Sequence, residues 1–166
     1  MGNRIIHDHH HDNIDRRGFL KCMAWAGTGL LFTVGGGVLK SYGLSQLGAD
    51  AAPAAGTLSF VQISDSHIGF SKEANKDVVG TLQAAVDKIN ALPTPPAFLI
   101  HTGDLSHLSK PDEFDKLAQV LAGCRTKLVH YVPGEHDVLA DNGRQYRERF
   151  GRSTKGDGWY SFDQGG

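Results

Sequence analysis

The chain has 166 residues, which is room for one domain of ordinary size, and its 40% hydrophobic content excludes a largely disordered protein. Lys and Arg number 17 against 18 Asp and Glu, so no excess of positive charge points to nucleic acid or an anionic membrane as a main partner. Two cysteines are too few for a disulfide framework or a thiolate zinc site.

The first fifty residues have the organisation of an export leader. The sequence DRRGFLK at 15–21 resembles the bacterial twin-arginine signal, with Asp15 where Ser or Thr is usual. An apolar stretch at 22–39, diluted by five glycines, follows it, and small residues at 49–54 offer cleavage sites. We therefore predict that residues 1–51 are a twin-arginine signal peptide. The protein would be periplasmic or otherwise extracytoplasmic, with the export machinery as a partner and membrane contact only through the leader.

Two other interpretations of the leader stay open. It could be retained as an uncleaved anchor, although a glycine-rich segment is a poor membrane span. The histidines at 7 and 9–11 could bind a metal ion, but a polar segment lost on cleavage is the favoured interpretation.

After residue 51 the pattern alternates between strands and helices. Runs rich in β-branched and aromatic residues predict strands at 58–63, 97–100 and 127–132, and a fourth can begin at 159–162. Apolar residues at helical spacing predict helices at 74–92, 109–123 and 142–150. This alternation predicts an α/β fold built from βαβαβ units with parallel strands.

Acidic and imidazole residues follow each of the first three strands. Asp65-Ser66-His67 follows the first, Gly103-Asp104 the second, and the sequence GEHD at 134–137 the third. The carboxyl ends of parallel strands meet at one edge of a sheet, where such folds bind ligands. Carboxylates with imidazole suit Zn, Mn and Fe, so a metal site is favoured over three unrelated loop caps.

In this order, the three motifs resemble the calcineurin-like metallophosphoesterase family. That family's pattern runs Asp-x-His, Gly-Asp, Gly-Asn-His-Asp/Glu, a lone His, and Gly-His-x-His. The resemblance implies a sandwich of two mixed β-sheets flanked by helices. It also implies two divalent or trivalent metal ions (Mn, Fe or Zn), no other cofactor, and hydrolysis of phosphomonoesters or phosphodiesters by a metal-bridging hydroxide.

The resemblance also assigns roles to individual residues. The implied metal ligands are Asp65 and His67 for the first ion, Asp104 between the ions, and Glu135 for the second ion. His136 would act on the phosphate, and Asp137 would orient His136.

Two departures from the family pattern affect the prediction. Glu135 stands where the family has Asn, and its negative charge would face an anionic substrate. It could mark a different substrate, or a catalytically inactive metal-binding pseudoenzyme that serves as an interaction platform. No histidine follows His136, so the last two histidine motifs are missing. We therefore expect residues 52–166 to be a C-terminally truncated metallophosphoesterase domain that is inactive by itself.

Other polar residues receive weaker assignments. His107 holds the position where purple acid phosphatases carry a tyrosine iron ligand, so that subgroup is disfavoured. The sequence does not tell whether His107 faces solvent or the cleft. A packing or supporting role is favoured for His101, and a solvated helix face is favoured over a phosphate clamp for Arg144, Arg147 and Arg149.

Overall fold

A computed structural model describes residues 29–44, 56–152, 154–155 and 158–164. The predicted export motif at 15–21, the histidines at 7–11 and the cleavage sites at 49–54 lie outside these ranges. Within them, no helix combines the length and the apolar character needed to cross a membrane.

The described residues form one five-stranded mixed sheet with helices. Its strands are β1 (Leu30–Gly35), β2 (Val38–Gly43), β3 (Leu58–Ile63), β4 (Phe98–His101) and β5 (Val129–Tyr131). Their order across the sheet is β2-β1-β3-β4-β5. β3, β4 and β5 run parallel, whereas β1 is antiparallel to both of its neighbours. The predicted α/β class is therefore confirmed, and the carboxyl ends of three parallel strands lie at one edge.

Three α-helices connect or follow these strands. They are α1 (Val78–Asn90), α2 (Pro111–Ala122) and α3 (Arg144–Phe150), and a short 3-10 helix spans Glu135–Asp137. α1 begins later than predicted because the Asp77 carboxylate caps it, accepting from the Gly80 N–H at 2.8 Å. α2 opens with a proline, a residue suited to the first helical position.

The predicted fourth strand at 159–162 is wrong for the residues that the structure describes. Only an isolated bridge between Lys155 and Trp159 forms there. Side chains hold this segment instead: the Phe162 ring stacks on His130 with centroids 3.6 Å apart, and the Tyr160 hydroxyl donates to the Tyr131 carbonyl at 2.8 Å.

Residues 30–43 differ from the sequence-based expectation. The prediction assigned them to the leader, whereas the structure folds them into a hairpin that pairs with β3. Leu31 is only 2% exposed within the core, and Phe32 stacks on Phe60 with ring centroids 4.9 Å apart. The apolar composition of this segment suits an export signal, and it equally suits a half-buried strand. The domain boundary after residue 51 stays a prediction.

The core lies between one sheet face and the first two helices. Its fully buried members include Val61, Leu99, Val86, Phe114 and Leu117. On the other face, an aromatic row continues from Phe60 to Phe98, whose ring centroids are 4.8 Å apart. Close packing on both faces holds the strand ends in fixed positions.

Candidate metal centre

The loops after β3 and β4 run side by side beyond the sheet. The Asp65 N–H donates to the Gly103 carbonyl at 3.0 Å, and the His67 N–H donates to the Asp104 carbonyl at 2.9 Å. The Ile68 N–H continues this series at 3.0 Å, donating to the Leu105 carbonyl. The parallel ladder is thus extended through the first two motifs, which brings their side chains to one place.

Two glycines allow the third motif to approach the second. Gly103 has a φ of 116°, a conformation that favours glycine, and a Cβ there would lie 2.9 Å from backbone atoms of Gly134. A Cβ on Gly134 would overlap the Asp104 carboxylate. Any side chain at either position would therefore push the loops after β4 and β5 apart.

Asp65, His67 and Asp104 form a group whose ligand atoms all lie within 4.8 Å of one another. The His67 Nε2 atom is 3.8 Å from an Asp65 oxygen and 3.6 Å from an Asp104 oxygen. These distances are longer than those of hydrogen bonds, so the three side chains lie close together without hydrogen bonds from His67 to the two carboxylates. Two carboxylates and an imidazole are donors that suit Mn, Fe or Zn, and the residues therefore fit a divalent metal ion.

The same three residues also share an uncommon backbone conformation. Their φ values are 56° for Asp65, 41° for His67 and 53° for Asp104. Positive φ is uncommon for residues other than glycine and persists where the surrounding structure enforces it. The pKa of His67 is lowered, and burial is the largest cause. This imidazole is therefore neutral near pH 7 and offers a lone pair.

A second group joins His67 to His107 and His136, again with ligand atoms within 4.8 Å of one another. The His67 and His136 rings are nearly perpendicular with centroids 4.7 Å apart, and the His107 and His136 rings stack at 5.0 Å. Burial is also the main cause that lowers the pKa of His107. The structure thus turns His107 towards the site, a point that the sequence left open.

Four hydrogen bonds to the loop after β4 position His136, one of them from the Ser106 hydroxyl to its carbonyl at 3.5 Å. Its N–H donates to the Asp104 carboxylate at 3.0 Å, and its carbonyl accepts from the Ser109 hydroxyl at 2.6 Å. Its ring Nδ1 lies 2.7 Å from the His107 carbonyl. A carbonyl can only accept, so Nδ1 carries a proton and Nε2 is the ring nitrogen left for another partner.

Asp137 is fully buried, and its carboxylate joins two loops. It accepts from the N–H groups of Leu105, Ser106 and Gly134 at 2.8–3.1 Å, and from the Ser106 hydroxyl at 2.9 Å. None of these bonds goes to the His136 ring. The structure therefore differs from the expectation that Asp137 orients His136 directly, because Asp137 instead fixes the loops that hold His136.

Glu135 is exposed and belongs to neither of the two groups. It begins the 3-10 helix directly before His136. Its assignment to the second metal ion stays a prediction.

His101 lies beneath the first motif and is completely buried. Its Nε2 atom is 2.8 Å from the Ser66 hydroxyl, and the Gly103 N–H donates to its Nδ1 at 3.4 Å. Burial lowers the pKa of His101 to about 3, and the nearby His67 acts in the same direction. The ring is therefore neutral and supports the loop between Asp65 and His67, as the sequence led us to expect.

Sequence reasoning missed the buried side chains that hold these loops. Glu113 is 6% exposed, and its carboxylate accepts from the N–H groups of His107 at 3.1 Å and Leu108 at 2.8 Å. It also accepts from the Lys110 N–H at 3.4 Å, but a lysine at the cap position is not a capping-box residue, so no sequence signal identified Glu113. For Ser66 and Ser109, no sequence signal pointed to their partners.

The three arginines of α3 do not reach the site. Arg149 pairs with Asp115 at 2.6 Å, and Arg144 lies 3.7 Å from Asp141. The Arg147 guanidinium donates to the Asn142 carbonyl at 2.7 Å. Their contacts are those of a surface helix, as the sequence favoured.

Comparison with known proteins agrees with this geometry. The model of the calcineurin-like phosphoesterase family matches residues 58–165. The chain belongs to this family. Across 84 residues it is 37% identical to a probable cyclic nucleotide phosphodiesterase of Rhodopseudomonas palustris. The match covers 48% of this chain but only 30% of that relative.

Family membership confirms the resemblance found in the sequence. It implies divalent metal ions, and the group of Asp65, His67 and Asp104 supplies candidate ligands for them.

The buried Asp137 carboxylate yields a first prediction about stability. Asp137→Ala leaves several buried donors without an acceptor and should lower the free energy of unfolding by at least about 3 kcal/mol. Asp137→Asn keeps one acceptor oxygen and should lose less. Urea unfolding in metal-free buffer measures both, with the exposed Asp163→Ala as the control. Equal midpoints for Asp137→Ala and the control would contradict the interpretation.

The buried His101 ring yields a second prediction, about pH. Its pKa is about 3 when folded against about 6.5 when unfolded, so the unfolded chain binds more protons between these values. Its contribution to stability is therefore complete above pH 6.5 and falls as the pH drops towards 3. The slope from this one group approaches about 1.4 kcal/mol per pH unit.

The test compares urea unfolding of the wild type and His101→Gln between about pH 5 and pH 7. Gln can still donate to Ser66 but does not titrate, so the variant should show the smaller slope. Other histidines with lowered pKa act equally in both proteins and cancel in the difference. Identical slopes would contradict the prediction.

Proposed function

We propose that this protein hydrolyses phosphate esters with two metal ions held at the carboxyl ends of β3, β4 and β5. The observation that carries the proposal is the convergence of Asp65, His67 and Asp104 at neighbouring strand ends. Membership of the calcineurin-like phosphoesterase family supports it independently.

The proposed ligand set divides between two ions. Asp65 and His67 serve the first ion, Asp104 serves both, and Glu135 serves the second. The bond from the His136 N–H to the Asp104 carboxylate supports this division, since it holds the backbone next to Glu135 against the shared ligand. When bound, such ions lower the pKa of a water molecule and offset the negative charge of a phosphate ester.

In this proposal His136 acts on the phosphate through Nε2. Its Nδ1 donates to the His107 carbonyl, so Nε2 is the ring atom that can take up a proton, and only the doubly protonated ring could then release that proton to the leaving oxygen. The hydrogen bonds from the His136 N–H to Asp104 and from the Ser109 hydroxyl to the His136 carbonyl fix its backbone, which keeps the ring in one orientation. Asp137 makes no hydrogen bond to the His136 ring; it contributes indirectly, by fixing the loops that hold His136.

The substrate class is proposed from the relative's name. A probable cyclic nucleotide phosphodiesterase as a relative favours a phosphodiester, and it favours an enzyme over the interaction platform. Cyclic nucleotides are therefore the first natural diesters to test, beside a phosphomonoester for comparison.

Replacement of the shared carboxylate gives a third prediction. Asp104→Asn removes a charged ligand and should lower Mn²⁺ affinity at least about tenfold in the 166-residue chain. Equilibrium dialysis with metal analysis measures this, and Asp163→Asn, an exposed carboxylate outside the site, is the matched control. Equal affinities for the two variants would refute the ligand assignment.

The same variant tests the reaction. We propose that the 166-residue chain alone is inactive, because no histidine follows His136 to supply the family's last motifs. A form extended through a lone His and a Gly-His-x-His motif should hydrolyse bis(p-nitrophenyl) phosphate in the presence of Mn²⁺, Fe²⁺ or Zn²⁺. Asp104→Asn should abolish that activity. An extended form that is inactive with every metal would overturn the proposal.

We also propose that residues 1–51 direct twin-arginine export. The support is the sequence DRRGFLK at 15–21 with the apolar segment after it. A fourth prediction follows: in a bacterium with this pathway, the exported protein should begin near residues 49–55, and the double substitution Arg16→Lys with Arg17→Lys should keep it in the cytoplasm.

N-terminal sequencing of the periplasmic fraction makes the measurement, and Arg4→Lys is the matched control outside the motif. A membrane-bound product that begins near Met1 would contradict cleavage. A mature protein that begins before Leu30 would show that β1 and β2 belong to the finished domain.

A further inference from the structure

We propose that His107 forms a three-imidazole zinc site with His67 and His136, overlapping the carboxylate-rich group at His67. The inference rests on the proposed function only through that shared histidine. It gives a ligand role to a residue outside the three sequence motifs. Zinc on the His136 Nε2 would exclude the proton transfer proposed for that atom, so the two roles are alternatives.

The three rings converge although they come from three separate loops. One ligand nitrogen from each lies within 4.8 Å of the other two. His67 presents its ring nearly perpendicular to both partners, at centroid distances of 4.7 Å to His136 and 5.7 Å to His107. The His107 and His136 rings are nearly parallel, with an interplanar angle of 16°.

The position of His107 is fixed by buried neighbours. Its backbone N–H donates both to the Ile68 carbonyl at 3.0 Å and to the Glu113 carboxylate at 3.1 Å. The Phe70 ring contacts it edge-on at 5.1 Å. A ring held from both sides loses little further freedom when it binds an ion, which favours affinity.

The hydrogen bonding of the rings is also that of metal ligands. His136 donates its Nδ1 proton to the His107 carbonyl, the usual arrangement for a histidine that binds a metal through its other nitrogen. Both His67 and His107 have a buried Nδ1 atom without a hydrogen-bond partner in the described part of the chain. Buried ring nitrogens normally have hydrogen-bond partners, so a bound ligand could supply the partner that these two nitrogens lack.

The chemistry of the set selects the ion. Three imidazoles with an open position suit Zn²⁺, whereas Asp65 and Asp104 add the oxygen ligands that Mn²⁺ prefers. The two groups therefore respond differently to substitution, because each has ligands that the other lacks.

A fifth prediction uses this difference. In the full 166-residue chain, His107→Gln should lower Zn²⁺ affinity at least about tenfold and change Mn²⁺ affinity less than about twofold. Asp65→Asn should do the reverse, with the larger loss for Mn²⁺. Titration calorimetry with each metal alone measures both affinities, without any assay of hydrolysis.

Two further variants make the test specific. His107→Phe keeps an aromatic ring against Phe70 and His136 but has no nitrogen, so it should lose zinc affinity without losing packing. His130→Gln is the matched control, because His130 is also half-buried with an unpartnered ring nitrogen but stacks on Phe162. It should leave both affinities unchanged. Histidine ring resonances of the wild type, followed during zinc addition, should shift for His107.

The outcomes separate this inference from the proposed function. Unchanged zinc affinity in both His107 variants, or a His107 resonance that zinc does not move, would overturn the three-imidazole site. The carboxylate site would then stand if Asp65→Asn still weakens Mn²⁺ binding. A wild-type chain that binds neither metal would overturn both.

Discussion

The candidate site depends on one buried carboxylate that no solvent reaches. Asp137 accepts hydrogen bonds from the loop after β4 and from the turn after β5, so it ties two strand ends that the sheet alone would leave to diverge. A buried charge is tolerated only where hydrogen bonds compensate it, and here backbone donors do so. The bonds that position His136 all depend on the loop held in this way.

Electrostatics in the site follow from this arrangement. The histidines around it lie in a region where burial disfavours their charged forms, and neutral imidazoles are the forms that bind metals. The carboxylates of Asp65 and Asp104 stay partly exposed and supply negative charge beside them. The loops therefore hold ligand atoms close together before any ion binds, and their backbone strain is part of that arrangement.

The sequence predicted the parts of this site that follow from local pattern. Asp65, His67 and Asp104 stand where strands end, and that position was enough to predict their convergence in an α/β fold. The strands and helices that carry them were predicted for the same reason, because their periodicity is local. The family resemblance came from the same three motifs.

What the sequence could not predict depends on contacts between distant residues. The bond from Ser109 to His136 and the contact between Ser66 and His101 join separate loops, and hydroxyl groups are too common to single out. The direction of His107 is set by Glu113 and Phe70, which pattern alone does not place beside it. The apolar segment at 30–43 was ambiguous because strands and export signals share its composition.

The hairpin of β1 and β2 has a consequence for the order of events in the cell. Under the proposed export, the hairpin pairs with β3 until the leader is removed. Cleavage after residue 51 would strip two strands from the sheet and expose the backbone N–H and C=O groups of β3. The leader therefore covers this edge of β3 for as long as it stays attached.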